Sequence, residues 1–206
     1  MRNLSASSLV KKNSGSHPDV RRLTLLAMLM AIVVLLQLLG AFIRFGPFSI
    51  SLVNIPIVIG AALCGPAAGL WLGLVFGLVV LLSGDAALFL AVNPWGTVLT
   101  VLLKGAMAGW GAGLVYKALA AKRPYLAGVV AAAVCPLLNT GVFLLGCLVF
   151  FMDTIALWAE AAGLGGQVAR YMIFGLAGGN FLFEMLINLA FSPVIVRLID
   201  VKINKR

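Results

Sequence analysis

The chain has 206 residues, of which 63% are hydrophobic and only 10% are charged, and its mean hydropathy is +1.13. Soluble domains carry roughly a quarter charged residues and disordered chains are poor in apolar residues, so both classes are excluded. The net charge of +9 does not indicate a nucleic-acid-binding protein, because the basic residues flank apolar runs and form no patch interleaved with aromatic residues.

The apolar runs predict an all-α polytopic membrane protein with six transmembrane helices. A polar, basic segment over residues 1–22 comes before the first span, 23–42, whose 20 residues are enough to cross a bilayer. A run of 33 uncharged residues follows, and Gly65-Pro66 is expected to divide it because proline cannot continue a helix. The other predicted boundaries give spans 50–64, 66–82, 97–116, 126–151 and 171–196, loops 83–95 and 153–167, and a basic tail 199–206. The region 23–198 is therefore expected to be one membrane domain.

The distribution of basic residues predicts the orientation of these spans. If both termini are cytoplasmic, 12 of the 15 Lys and Arg residues fall in cytoplasmic segments, two fall in outer loops and one falls within a span. Cytoplasmic loops carry such an excess of positive charge, so we expect both termini to be cytoplasmic. The three cysteines lie inside apolar runs and match no metal-ligand spacing, which predicts neither a disulfide nor a metal site.

Small residues recur every four positions in several spans. The glycine sets are Gly65, Gly69, Gly73 and Gly77, then Gly105, Gly109 and Gly113, and finally the pair Gly175 and Gly179. Small residues at this spacing let membrane helices approach closely, so we expect these faces to pack inside the bundle. Ala27 and Ala31 have the same spacing in the first span, and they are equally consistent with an internal contact or a docking surface for another membrane protein.

Four polar side chains lie within spans at similar depth: Lys104, Asn139, Asn180 and Glu184. Ionisable groups in lipid are unfavourable by about 2.5–3.5 kcal/mol, so they face the bundle interior or a cavity. Lys104 and Glu184 could form an ion pair that joins two helices, and a single buried asparagine is commonly a contact between helices. Because polar groups from three spans converge, we favour a substrate-binding cavity that opens toward the outer side. Asn188 lies deeper and is interpreted as structural.

The predicted outer loops contribute further candidates for substrate binding. Arg44 and Phe48 lie in the first outer loop, and Asn93 and Trp95 lie in the second. Aromatic residues commonly anchor at the membrane interface, and the same residues could instead form a lid over an outward-facing cavity. The sequence leaves both interpretations open.

The sequence contains none of the motifs that would indicate ATP hydrolysis or proteolysis. It has no GxxxxGK[ST], no HExxH and no GxSxG, and the single histidine lies in the N-terminal tail. We therefore expect no enzymatic activity and no cofactor. A polar cavity in a bundle without a motor indicates either a binding subunit that is energised by separate ATPases or a small carrier driven by a gradient.

The six-span arrangement, the AMLMA motif around Ala27 and Ala31, and three longer segments have counterparts in a known family. The segments are SLVNIPIVIGAALCGPAAGLWLG, KGAMAGWGAGLVYK and PLLNTGVF. With these features, residues 22–198 resemble the substrate-binding S components of energy-coupling factor (ECF) vitamin transporters.

The resemblance implies a multi-pass protein of the bacterial cell membrane that binds a water-soluble vitamin or related micronutrient, such as riboflavin or pantothenate, from the outside. It implies two kinds of partner, a transmembrane scaffold subunit and two cytoplasmic ATPase subunits, with docking on the scaffold through Ala27 and Ala31. The family's pocket is formed by the outer loops and the outer parts of helices four to six, where the four polar side chains lie. The competing hypotheses are an autonomous gradient-driven secondary transporter and an assembly protein without a ligand.

Overall fold

The structure is a computed structural model that describes the backbone of residues 20–42, 44–45, 48–49 and 52–203 and the side chains of residues 20–40 and 52–197. Within these residues the chain is almost entirely helical, as predicted. The elements are α1 Val20–Phe42, β1 Arg44–Phe45, β2 Phe48–Ser49, α2 Asn54–Cys64, α3 Pro66–Leu82, α4 Ala87–Val92, α5 Pro94–Ala120, α6 Pro124–Phe150, α7 Met152–Ala161, α8 Val168–Arg170, a π-helical segment Tyr171–Gly178 and α9 Gly179–Ile203. The two short strands pair antiparallel, with Arg44 opposite Ser49.

Four helical stretches are long and apolar enough to cross a membrane: Val20–Gly40, Pro94–Ala120, Pro124–Phe150 and Val168–Arg197. The helices α2 and α3 have 11 and 17 residues, fewer than the roughly 20 that usually span a bilayer. The chain is therefore a multi-pass membrane protein. The presence of six spans and the cytoplasmic position of both termini stay predictions.

The break between α2 and α3 lies at the predicted position. Gly65 has a φ of 91°, a left-handed conformation that favours glycine, and Pro66 stands at the start of α3. Proline suits this position because the first N–H groups of a helix have no partner within the helix.

The predicted loops 83–95 and 153–167, in contrast, contain the helices α4 and α7. Phe89 of α4 is 7% exposed and Ile155 of α7 is fully buried, so each helix is held by an apolar side chain packed on the bundle. This packing outweighs the local turn signals on which the loop prediction depended. The long helix α5 also begins earlier than predicted, because the Asn93 Oδ1 accepts a hydrogen bond from the Gly96 N–H at 2.9 Å and caps the helix.

Glycines of the first two sets pack inside the bundle, as predicted, and they bring α3 and α5 into backbone contact. A Cβ atom at Gly73 would collide with the Gly105 carbonyl group, and one at Gly69 would collide with the Gly109 carbonyl group. The third set differs. A Cβ atom at Gly179 would have no neighbour within 4 Å, so this glycine makes no close helix contact.

The short helix α2 lies at the centre of the bundle, in contact with α1, α3, α5, α6 and α9. Its Asn54, Ile57 and Val58 side chains are all 0% exposed. The two apolar residues belong to the main hydrophobic core, while Asn54 is a polar group enclosed by the same helices. This central position brings Asn54 within reach of polar side chains on α9.

Candidate functional site

A small polar cavity lies among α1, α3, α4, α5, α6 and α9, near the end of the bundle that carries α4 and α7. Its volume is about 80 Å³. Apolar and aromatic side chains form part of the wall, and eight polar residues form the rest: Gln37, Asp85, Thr97, Thr100, Lys104, Asn139, Asn180 and Glu184. A polar cavity of this kind inside an apolar bundle is the usual setting for a small-molecule site.

The structure brings together the four residues that the sequence singles out within the spans. Lys104, Asn139, Asn180 and Glu184 all line this one cavity. They come from α5, α6 and α9, so residues far apart in the sequence share one wall. Their role in binding stays a prediction, but their convergence is a property of the fold.

Glu184 is held by amide groups on two helices. Asn180 donates from Nδ2 to Oε1 of Glu184 at 3.1 Å, and Asn54 donates from Nδ2 to Oε2 at 3.1 Å. Asn188 donates to the backbone carbonyl of Glu184 at 2.9 Å. The carboxylate is only 2% exposed, and a buried carboxylate needs such donors to offset the loss of hydration. This network joins α2 to α9.

Lys104 lies on the cavity wall, near aromatic rings and carboxylates. Its Nζ lies 5.6 Å from the centre of the Phe76 ring and 5.4 Å from that of Phe143, close enough for cation–π attraction. The carboxylates of Glu184 and Asp85 both attract the same ammonium group. Burial acts against the charged form of this ammonium group, and nearby negative charge and ring faces offset part of that effect.

Gln37 and Asp85 form a second polar contact on the wall. Gln37 donates from Nε2 to Oδ2 of Asp85 at 2.6 Å, which connects α1 with the segment between α3 and α4. Neither residue was predicted from the sequence. A usable signal existed for Gln37, since it is one of only two polar residues in the first predicted span. Asp85 lies in a predicted loop, where acidic residues are ordinary.

Three buried oxygen atoms on the wall have no hydrogen-bond partner among the residues that the structure describes. They are Oε1 of Gln37, Oγ1 of Thr100 and Oδ1 of Asn139. Their side chains are 2%, 4% and 6% exposed. Buried polar atoms in native proteins are nearly always paired, so unpaired ones on residues that line a cavity are expected to pair with a ligand that opens the wall.

Aromatic side chains cover the cavity at the α4–α7 end. Phe89 of α4 makes edge-to-face contacts with Phe143, Phe151 and Trp158, with ring centres 5.6, 5.1 and 5.5 Å apart. Phe89, Phe143 and Phe151 also line the cavity. The contact between Phe89 of α4 and Trp158 of α7 therefore joins the two connecting segments at this end of the cavity.

The loop residues proposed from the sequence lie elsewhere or outside the described part. Asn93 caps α5 and Trp95 is 85% exposed, and neither lines the described cavity. Arg44 and Phe48 belong to the two-stranded hairpin, but their side chains lie outside the described residues. In the described part of the chain, no group of three or more His, Cys, Asp or Glu side chains could hold a metal ion.

The predicted docking residues lie on the outer surface of the bundle. Ala27 and Ala31 are both exposed, while Leu29 and Val33 of the same helix are buried. The alanine face of α1 is therefore turned away from the other helices. The sequence left open whether this pair makes an internal helix contact or forms a docking surface, and the internal contact is not observed.

Comparison with known proteins gives one result. The family model described as "ECF transporter, substrate-specific component" matches residues 21–199, which is most of the chain. No curated protein matches closely enough to add a second comparison. Membership of this family implies association with ECF scaffold and ATPase modules and a small-molecule substrate, and the family consists of transporter components and not of enzymes. The chain belongs to the substrate-specific components of ECF transporters.

Proposed function

We propose that the cavity described above is the substrate site, and that the substrate is a water-soluble vitamin or related micronutrient such as riboflavin or pantothenate. One observation supports this most directly. Buried polar groups from four helices surround a single cavity in a bundle that is otherwise apolar. Polar groups inside a membrane domain are unfavourable unless they are paired or have a ligand to bind.

The cavity is small for such a ligand. Its volume of about 80 Å³ is well below the roughly 300–1,000 Å³ of typical ligand pockets. Binding must therefore displace part of the wall. The segment with α4 is the most suitable part to move, because α4 has only six residues and meets the aromatic cluster mainly through Phe89. In this proposal Phe89 acts as a lid, together with the hairpin that contains Arg44 and Phe48.

The topology completes the proposal. We place six membrane-inserted helices with both termini in the cytoplasm of a bacterial cell, so that the α4–α7 end faces outward. The excess of basic residues in the proposed cytoplasmic segments supports this orientation. The exposed Ala27 and Ala31 face of α1 then docks on the scaffold subunit, whose two ATPases supply the energy for release of the substrate inward.

Thermal unfolding of the purified full chain with a panel of water-soluble vitamins tests the proposal. A ligand at a hundredfold excess over its Kd should raise the free energy of unfolding by about 2.7 kcal/mol. Asn139→Ala and Lys104→Ala should reduce this shift. Leu145→Ala, at a residue of α6 that is 60% exposed, is the control and should keep it.

Two results would contradict the proposal. If no vitamin stabilises the chain, or if the two cavity variants respond to the ligand as the control does, the cavity is not the site. If the chain alone accumulates the ligand in proteoliposomes along an ion gradient, it is a secondary transporter.

A further inference from the structure

The unpaired oxygens on the cavity wall are all hydrogen-bond acceptors. Oε1 of Gln37 and Oδ1 of Asn139 are carbonyl oxygens, and Oγ1 of Thr100 is a hydroxyl that can accept as well as donate. The residues that carry them line the cavity from α1, α6 and α5, and each oxygen is itself covered, so it becomes available to a ligand when the wall is displaced. A ligand that fills the cavity therefore meets groups that need donors.

The amide orientations follow from the chemistry of their partners. An ionised carboxylate only accepts hydrogen bonds, so the amide end that contacts one must be the nitrogen. Gln37 therefore turns its nitrogen to Asp85, and its oxygen has no partner among the described residues. Asn180 likewise turns its nitrogen to Glu184. One N–H donor of each of these two amides is thus used within the wall.

The charged side chains on the wall also favour a ligand that donates hydrogen bonds over an anionic one. Among the described residues that line the cavity, Asp85 and Glu184 are acidic and Lys104 is basic. With all three ionised, the wall itself carries one excess negative charge, and Arg44 belongs to the proposed lid and not to this wall. Lys104 is already attracted by both carboxylates, so an added anion would compete with them and would lie close to both.

We propose that the cavity selects a neutral or cationic ligand that is rich in N–H or O–H donors, and that it discriminates against carboxylate and phosphate groups. This inference rests on the proposed function and narrows its substrate class. Between the two examples given above, it favours a neutral molecule such as riboflavin over an acid such as pantothenate. The donors of the ligand would pair with the oxygens of Gln37, Thr100 and Asn139.

Matched pairs of vitamins test the selection on the purified full chain. The pairs are nicotinamide and nicotinate, riboflavin and riboflavin phosphate, pyridoxamine and pyridoxamine phosphate, and thiamine and thiamine phosphate. In any pair with a measurable Kd, the neutral or cationic member should bind at least about tenfold more tightly, which is the effect of roughly one hydrogen bond. A pair whose anionic member binds as tightly or more tightly would overturn the inference.

A second measurement needs no ligand. Thr97 and Thr100 are both buried cavity residues on α5, but the Thr97 hydroxyl donates to the Asn93 carbonyl at 2.7 Å whereas Thr100 Oγ1 is unpaired. Valine replaces a threonine hydroxyl with a methyl group of similar size. Thr97→Val should therefore lower the Tm of the ligand-free chain, and Thr100→Val should leave it unchanged or raise it. An equal loss in both variants would overturn the inference.

The two measurements separate this inference from the proposed function. If a pair binds with the opposite preference, the site exists and only the selection rule fails. If no member of any pair binds, the proposed function loses its support, and the comparison of Thr97→Val with Thr100→Val still decides whether the wall carries unpaired acceptors.

Discussion

Gln37 and Asp85 join α1 to the segment between α3 and α4 through a hydrogen bond of 2.6 Å at the edge of the cavity. Hydrogen bonds to a carboxylate are shorter and stronger than those between neutral groups. Gln37 is 2% exposed, while Ala27 and Ala31 on the same helix are exposed. One face of α1 therefore belongs to the cavity wall and another is available to a partner.

Loss of this contact should destabilise the chain. Gln37→Leu removes a hydrogen bond to a charged group, and we expect the free energy of unfolding to fall by about 1.5–3 kcal/mol. Denaturation of the purified variant in detergent measures the change. Leu35→Ala, at a neighbouring residue that is 59% exposed, should have a much smaller effect. Equal stability of Gln37→Leu and the original chain would show that the bond contributes nothing.

Asn54 and Glu184 should be energetically coupled. Asn54→Ala removes a buried donor 3.1 Å from the carboxylate, with an expected loss of about 1–3 kcal/mol. Once Glu184 is also replaced by alanine, removal of Asn54 should matter less, so the double variant should lose less than the sum of the two single variants. A double-mutant cycle measures this coupling, expected at about 0.5–3 kcal/mol. Strict additivity would be inconsistent with the described network.

The contact between α3 and α5 should not tolerate a side chain. Gly73→Ala places a Cβ atom against the Gly105 carbonyl. Because the clash is with backbone atoms, relieving it requires the two helices to move apart. We expect a clear loss of thermal stability. Gly141→Ala is the matched control, because a Cβ atom there would have no neighbour within 4 Å, and alanine in a helix gains roughly 0.5–1 kcal/mol over glycine. Similar behaviour of the two variants would contradict the close contact.

The aromatic cover should slow the exit of the ligand. Phe89→Ala removes the ring that contacts Phe143, Phe151 and Trp158, so we expect a faster dissociation rate and a smaller change in the association rate. Stopped-flow measurements on a ligand found in the vitamin panel give both rates. Trp95→Ala, in the next segment of the chain and outside the cavity wall, should change dissociation less. If Trp95→Ala has the larger effect, Trp95 and not Phe89 covers the site.

The exposed alanine face of α1 should be needed for assembly and not for binding. Ala31→Trp adds a large side chain where the proposed scaffold contact requires a small one. Co-purification with the scaffold and ATPase subunits should fail, while the ligand-induced thermal shift should persist. Leu145→Trp, at an exposed residue of α6 away from this face, controls for the general effect of a bulky residue. Normal assembly of Ala31→Trp would exclude this face as the docking surface.

Much of the fold could be predicted from the sequence because lipid imposes simple rules on long apolar helices. The break at Gly65-Pro66 and the packing of the α3 and α5 glycines depend on local backbone properties, and both are observed. The helices α4 and α7 could not be predicted, because tertiary packing of Phe89 and Ile155 holds them. Local propensity gives no indication of such contacts.

Part of the cavity wall could also be predicted, because lipid makes charged residues within spans rare. Lys104 and Glu184 are unusual in membrane spans and are recognisable as single residues. Asn54 and Asp85 were missed because their importance comes from neighbours far away in the sequence, such as Glu184 at 130 positions from Asn54. Asn93, proposed for binding as a polar loop residue, caps the start of α5 in the structure, and its role in binding stays a prediction.

An experimental structure of the full chain with a vitamin from the panel would locate the substrate. We expect ligand density between Thr100, Asn139 and Asn180, with Phe89 displaced or closed over it. Density that lies only in the apolar groove of about 510 Å³ between α6 and α9, which Leu137 and Phe181 help to line, would show that the polar cavity is not the substrate site.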